Sequence, residues 1–293
     1  MGVRPWKVPP DGGQSSKWGE WLPLRPAHKD AHPLRLDLAN LNFVDPLFLV
    51  RLRAFMDWHA ERGHEIVVER PENKHVRNYL ARMGICDDLP EGCTFDVGQV
   101  AAKPHPDVLI PLTRVHTRAD SDALDDAVAD LLGAQFADGL IGCADAFTMT
   151  VGEMRDNALS HGASAHGVYL AAQRYQSTRC VLAIGDLGIG IPEHLRGQHP
   201  HLTDDGAAVA EATRQGITGV AGAAAQHRGN GYYYVVDEME RTKVPRGLLR
   251  VWSGRGRFSL GMADGRQTMR RGWLVEHEDL TRGTWVRLEL ATK

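Results

Sequence analysis

Residues 182–192 read Leu-Ala-Ile-Gly-Asp-Leu-Gly-Ile-Gly-Ile-Pro, an apolar run that ends in Asp186 and continues directly into two alternate glycines. The apolar run predicts a buried strand, and the carboxylate at its end can accept a hydrogen bond from an exocyclic amine. Gly188 and Gly190 would let the backbone approach a flat ring or a phosphate. Taken alone, the stretch favours an Asx turn that leads into a loop. It is not a Walker loop, because no Gly-Lys-Ser/Thr follows.

A helix is predicted upstream, from about residue 140 to 161. Its apolar residues recur at helical spacing and can face the core, whereas Glu153, Asn157 and His161 line a different face. A carboxylate and a carboxamide one turn apart suit Mg²⁺, which prefers hard oxygen ligands alongside substrate phosphates. Polar residues four apart are also typical of a solvated helix face, so this element is weak by itself.

Two further elements lie downstream. Residues 227–232 read His-Arg-Gly-Asn-Gly-Tyr and lead into a helix predicted over 231–241. Glycines before a helix N-terminus present free N–H groups to an anion, and Arg228 adds positive charge, although a flexible loop before an ordinary cap is the alternative. Residues 283–290 read Gly-Thr-Trp-Val-Arg-Leu-Glu-Leu and predict a strand that opens on the hydroxyl of Thr284.

Together, in this order and at these separations, the four elements resemble the GHKL ATPases. This Bergerat-fold superfamily includes sensor histidine kinases and anti-sigma-factor serine kinases. The resemblance covers about residues 105–293 and implies ATP and Mg²⁺ as cofactors. It also implies an α+β fold in which a Bergerat-type sandwich, a mixed sheet covered by helices on one face, occupies residues 108–293. The lid over the nucleotide would span about residues 191–230.

The resemblance implies a role for each residue. Glu153 would be the catalytic carboxylate that polarises a water or an acceptor hydroxyl, and Asn157 would coordinate Mg²⁺. Asp186 would accept a hydrogen bond from the adenine amino group, and Thr284 would share a water with it. The remaining cofactor-binding positions would shape the adenine pocket and hold the phosphates: Gly188, Gly190, Arg228, Gly229, Asn230 and Gly231. One departure follows directly, since Tyr232 stands where the family favours an aliphatic residue.

The first half of the chain has a different pattern. Strand, helix, strand and helix are predicted over residues 34–87, with Pro46 at the first position of a helix. This stretch resembles the STAS domain of anti-sigma-factor antagonists, and any other small α/β domain is the alternative. The family's loop carries a phosphorylated serine, whereas here Asp45-Pro46-Leu47-Phe48 contains no hydroxyl. Residues 1–33 are predicted to be an irregular N-terminal extension, and residues 88–107 a linker.

Composition excludes several classes of protein. The 293 residues include 34 basic and 37 acidic side chains, and this balance argues against nucleic acid or a membrane surface as a partner. The sequence contains no apolar run of membrane-spanning length. Its four cysteines lack zinc-type spacing, which favours free thiols in a reducing cytoplasm.

The expected function follows from the closest branch of the family. The pattern Glu-x-x-x-Asn-Ala-x-x-His-Gly, from Glu153 to Gly162, most resembles the anti-sigma-factor serine kinases. The expected activity is therefore transfer of phosphate from ATP to a serine or threonine of a protein partner. No helical phosphoacceptor histidine motif precedes the domain, which argues against an autophosphorylating histidine kinase. A nucleotide-gated binding switch or slow ATPase is the alternative. The sequence leaves the oligomeric state open, a homodimer included.

Overall fold

The computed structural model describes residues 6–8, 33–98, 109–116, 141–160, 166–175, 178–217, 231–275 and 281–292, together with Asp120, Leu124 and Asp126. The chain divides into two compact units, Met1–His105 and Pro106–Lys293. Helices and strands occur in both units, so the expected α+β class is confirmed at that level. None of the helices in the described ranges is both long and apolar enough to cross a membrane.

The first unit is a small parallel sheet with two helices. Its elements are β1 (Trp6–Lys7), β2 (Leu34–Asp37), α1 (Pro46–Ala60), β3 (Ile66–Glu69), α2 (Lys74–Arg82) and β4 (Cys93–Phe95). The strands lie in the order β1-β2-β3-β4, and every neighbouring pair is parallel. Two of these strands lie in segments where we expected none. Strands of two and three residues are too short to show the alternation that predicts a strand.

Helix α1 begins where its sequence predicts. Asp45 is the N-cap, and its Oδ1 accepts the backbone N–H of Phe48 at 3.0 Å. Pro46 occupies the first turn, where its missing N–H costs nothing. The helix is buried from Pro46 to His59, in keeping with a sequence that is apolar on most sides.

The second unit is a seven-stranded sheet with helices. Its strands are β5 (Leu109–Val115), β6 (Val168–Tyr175), β7 (Arg179–Asp186), β8 (Arg246–Gly254), β9 (Gly256–Ala263), β10 (Arg266–Leu274) and β11 (Thr281–Ala291). Its helices are α3 (Ile141–Ser160), α4 (Ile191–Arg196), α5 (Asp205–Glu211) and α6 (Gly231–Arg241). The strand order is β10-β9-β8-β11-β7-β6-β5.

Every strand pairing in this sheet is antiparallel, so the expected mixed sheet is wrong for the described residues. Tight turns explain part of this result, because β8, β9 and β10 follow one another with one or two residues between them and must reverse direction. Strand β11 then inserts between β7 and β8 and pairs antiparallel with both.

The hydrophobic core of this unit lies on one face of the sheet. Inward residues such as Ile184 and Val286 join the buried residues of all four helices in a single cluster, among them Phe147 of α3 and Val235 of α6. This face positions the candidate site, because α3 packs on β7 and α6 packs on α3. Helices α4 and α5 occupy part of the expected lid, and residues 218–230 of that lid lie outside the described residues.

Candidate functional site

Helix α3 presents two polar side chains beside the core. Val151 and Met154 are buried in the apolar cluster, so the helix is held with Glu153 and Asn157 half-buried. Burial, and to a smaller extent the charge of Asp156, raise the pKa of the Glu153 carboxyl. Glu153 is therefore a stronger proton acceptor than a carboxylate in water.

The first residue of α6 lies against these side chains. A Cβ on Gly231 would lie 2.5 Å from Oε2 of Glu153 and 3.3 Å from Nδ2 of Asn157. No larger residue fits unless those side chains move. The first N–H groups of a helix have no partner within the helix and carry partial positive charge. A carboxylate, a carboxamide and a helix N-terminus thus meet at one place.

Asp186 ends β7 and is 6% exposed. Its Oδ1 accepts the N–H of Gly188 at 2.6 Å, and its carboxylate also accepts the backbone N–H of Thr284. Burial raises the pKa of Asp186 to about 6, although both N–H groups and the charge of Arg282 oppose the shift. Arg282 is held nearby, since its Nε donates to the carbonyl of Leu187 at 2.9 Å.

A buried serine connects the other predicted residues. The hydroxyl of Ser253 donates to the carbonyl of Gly283 at 2.8 Å and accepts the N–H of Ile191 at 2.8 Å. Its Oγ lies 3.1 Å from Oγ1 of Thr284. Gly190 has a φ of 82°, and a Cβ on this glycine would lie 2.6 Å from Oγ of Ser253. Ser253 lies near the end of β8, and we see no sequence signal that would have identified it.

Tyr232 links these two groups of residues. It is the second residue of α6, and its side chain is 7% exposed within the apolar cluster. Burial, followed by the negative charge of Asp186, raises the pKa of the phenol, so the phenol stays protonated within electrostatic range of that carboxylate. Tyr232, which stands where the GHKL motif has an aliphatic residue, therefore directly follows Gly231 and lies within electrostatic range of Asp186.

The predicted residues are thus found in two neighbouring sets. Glu153, Asn157 and Gly231 form the first set. The second set contains Asp186, Gly188, Gly190 and Thr284, which are connected by hydrogen bonds and by Ser253. Three further predicted residues, Arg228, Gly229 and Asn230, lie outside the described residues.

A cavity of about 470 Å³ opens beside the second set. Gly188 and Arg282 line it, whereas Glu153, Asn157 and Asp186 do not. Its charge is largely balanced, because the arginine of α4 that lines it pairs with two carboxylates that also line it, Glu193 and Asp205. The cavity therefore does not contain the carboxylates and the carboxamide of the predicted site.

The donor set fits one kind of cation. The described parts of the chain contain no cluster of three His, Cys, Asp or Glu side chains that would enclose a metal ion. Glu153 and Asn157 offer two hard oxygen ligands on a half-exposed helix face. Mg²⁺ commonly binds to one or two such ligands and completes its shell with waters and substrate phosphates.

No protein-family model matches this chain, and no curated protein matches its sequence. The resemblance to the GHKL ATPases and to STAS domains therefore stays a prediction that rests on the residues named above.

Proposed function

We propose that the second unit binds ATP with Mg²⁺ and transfers the γ-phosphate to a serine or threonine hydroxyl of a protein partner in the cytoplasm, in the manner of the anti-sigma-factor serine kinases that its motifs resemble. One observation supports this above the others. Residues from three separate segments converge, since Gly231 lies against Glu153 and Asn157, while the charge of Asp186 acts on the phenol of Tyr232 in the next position.

The Asp186 end suits a nucleobase that carries an amino group. A carboxylate offers about four acceptor positions. Two backbone N–H groups already use part of this capacity and hold the side chain in place. The remaining lone pairs can accept the exocyclic amine of adenine, and the burial of Asp186 excludes competing water.

The Glu153 end suits the phosphates. Phosphoryl transfer depends mainly on positioning and on neutralisation of charge. Mg²⁺ bound by Asn157 with Glu153 nearby would supply positive charge to the phosphate oxygens. The first N–H groups of α6 would add partial positive charge on the same side, because Gly231 lies against Glu153 and Asn157. Glu153, whose pKa is raised by burial, would accept the proton of the attacking hydroxyl.

A second candidate function is a nucleotide-gated binding switch without phosphoryl transfer to protein. The observation in its favour is in the first unit. Asp45 is 2% exposed and caps α1, and the next three residues, Pro46, Leu47 and Phe48, are buried. None of these four residues has a hydroxyl, whereas the STAS domains that this unit resembles are phosphorylated on a serine in the matching loop. On this alternative, bound nucleotide would control contact with a partner.

The test follows labelled phosphate. The full chain is incubated with γ-labelled ATP and Mg²⁺, with and without candidate protein partners. Label on protein supports the kinase, free phosphate supports a slow ATPase, and tight binding without turnover supports the switch. Asn157→Ala should abolish Mg²⁺-dependent binding or turnover, whereas Asn42→Ala, an exposed residue of the first unit, should not. Equal behaviour of both variants and the wild type would contradict the proposed site.

A further inference from the structure

Strand β10 is unusually open. It is an edge strand of the seven-stranded sheet and pairs only with β9 among the described residues. All nine of its residues are exposed. An edge strand of this length presents a row of N–H and C=O groups that a further strand can pair with. The outer edge of β10 can therefore form backbone hydrogen bonds with an additional strand.

The two faces of β10 differ. Arg270 lies opposite Leu260 on the helix-covered face, and its guanidinium donates to Oγ1 of Thr213 at 2.6 Å. A Cβ on Gly272 would lie 2.8 Å from Cβ of Ala210, so α5 covers that face here. The interactions of Arg270 are thus largely internal to the unit.

The opposite face carries an exposed row of three side chains: Met269, Arg271 and Trp273, which we call the β10 stripe. Met269 is 42% exposed and Trp273 is 39% exposed. The guanidinium carbon of Arg271 lies 5.9 Å from the centre of the Trp273 ring. Large apolar side chains on both sides of a cation are typical of surfaces that bind protein, because exposed aromatic area is costly in water.

The positive charge of β10 favours an acidic binding partner. The sequence Arg-Gln-Thr-Met-Arg-Arg-Gly-Trp-Leu contains three arginines and no acidic residue. Neither Arg266 nor Arg271 forms an ion pair within the described part of the chain. Pairing with a second copy of β10 would bring like charges together, which is unfavourable across neighbouring strands. A segment with carboxylates has the complementary charge.

We propose that β10 is a docking edge for an extended acidic segment of a protein partner, which pairs with the strand and places carboxylates at Arg266 and Arg271 and apolar side chains at Met269 and Trp273. Backbone hydrogen bonds would supply much of the affinity, and the β10 stripe would supply selectivity. The proposal uses none of the residues of the proposed nucleotide site, so it is tested independently of ATP binding.

The experiment uses the full chain and three synthetic peptides. The first repeats Val-Thr-Glu-Thr, which places Val and Glu in turn on one face of an extended strand, as the β10 stripe requires. The second replaces Glu with Lys, and the third repeats the first with all backbone amides N-methylated. Successive N–H groups of a strand point to opposite edges, so N-methylation of all amides removes the N–H donors of both edges and keeps the charge. Calorimetry should show binding of the first peptide, no binding of the second, and affinity at least about tenfold weaker for the third.

Variants locate the binding. Arg271→Glu and Trp273→Ala should each weaken the first peptide by about tenfold, and Lys74→Glu, an exposed basic residue of the first unit, should not. Thermal unfolding confirms that each variant is folded. The proposal is overturned by absence of peptide binding, by equal binding of the N-methylated peptide, or by full affinity of Arg271→Glu. Tighter binding of an oligothymidylate, or dimers that Arg271→Glu abolishes, would overturn it as well, because the occupant would then be nucleic acid or a second copy.

Discussion

Gly231 lies so close to Glu153 that a Cβ on the glycine would sit 2.5 Å from Oε2 and 3.3 Å from Cδ of the carboxylate. A glycine is required here by this close approach. The start of α6 can therefore present its N–H groups directly beside the carboxylate of α3. The proposed phosphate end of the site depends on this contact.

Gly231→Ala should weaken ATP binding by at least about tenfold and leave the protein folded, since only the flexible end of Glu153 must move. Gly152→Ala is the matched control, because a Cβ there would contact nothing within 4 Å. Alanine at that helix position should raise the free energy of unfolding by up to about 1 kcal/mol. Calorimetric titration with ATP and urea unfolding measure both effects. Unchanged ATP affinity in Gly231→Ala would remove the support for phosphate binding here.

The affinity for ATP should fall as the pH is lowered through about 6. The pKa of Asp186 is about 6 in the folded protein, and only the ionised carboxylate retains all its acceptor positions for the adenine amine. Affinity should approach a tenfold loss for each pH unit below the pKa and stay level above it. Titrations with ATP over this range check the curve. A flat profile would show that the nucleobase does not contact Asp186.

The contribution of Asp186 to the stability of the nucleotide-free protein should decrease as the pH rises, whereas its contribution to ATP affinity should increase. The folded pKa of about 6 lies above the ordinary aspartate value of 3.8, so the contribution of the group to stability is greatest below 3.8 and is lost as the pH rises through about 6. Over that interval the wild type should lose about 3 kcal/mol relative to Asp186→Asn. Urea unfolding of both proteins at several pH values measures the difference. Parallel curves would mean that Asp186 is more hydrated than the structure indicates.

Tyr232 and Tyr234 should differ strongly in their contribution to folding. Tyr232 is 7% exposed and Tyr234 is 42% exposed, although only one residue separates them. Tyr232→Ala should cost about 3 kcal/mol of unfolding free energy, as for other large buried aromatic side chains. Tyr234→Ala should change it by no more than about 0.5 kcal/mol. Chemical denaturation of both variants provides the comparison, and similar losses would contradict the burial of Tyr232 against the core.

Helices and strands with strong hydrophobic periodicity were predictable from the sequence. The helix expected over about 140–161 is α3 at Ile141–Ser160, and the strand expected to end in Asp186 is β7 at Arg179–Asp186. Strand β10 extends from Arg266 to Leu274. Its residues are all exposed, so the apolar alternation that reveals a half-buried strand is absent from its first part.

The site was predictable only in part, for a related reason. Spacing along one helix identified Glu153 and Asn157 as neighbours, and the end of an apolar strand identified Asp186. Ser253 and Arg282 were missed, because their importance depends on strands that are distant in sequence and adjacent in the sheet. Tyr232 was noticed as a departure from a motif, but its burial beside Asp186 could not be read from its neighbours in sequence.

The sequence by itself determined which residues share a helix face or end a strand, because those relations depend on backbone geometry within a few residues. Only the tertiary structure decided that every strand of the larger sheet runs antiparallel to its neighbours and that Gly231 approaches Glu153. It alone also decided that the pKa of Asp186 rises to about 6. The physical reason is that burial and hydrogen-bond donors act through space, and Thr284 and Arg282 reach Asp186 only after β11 has paired with β7.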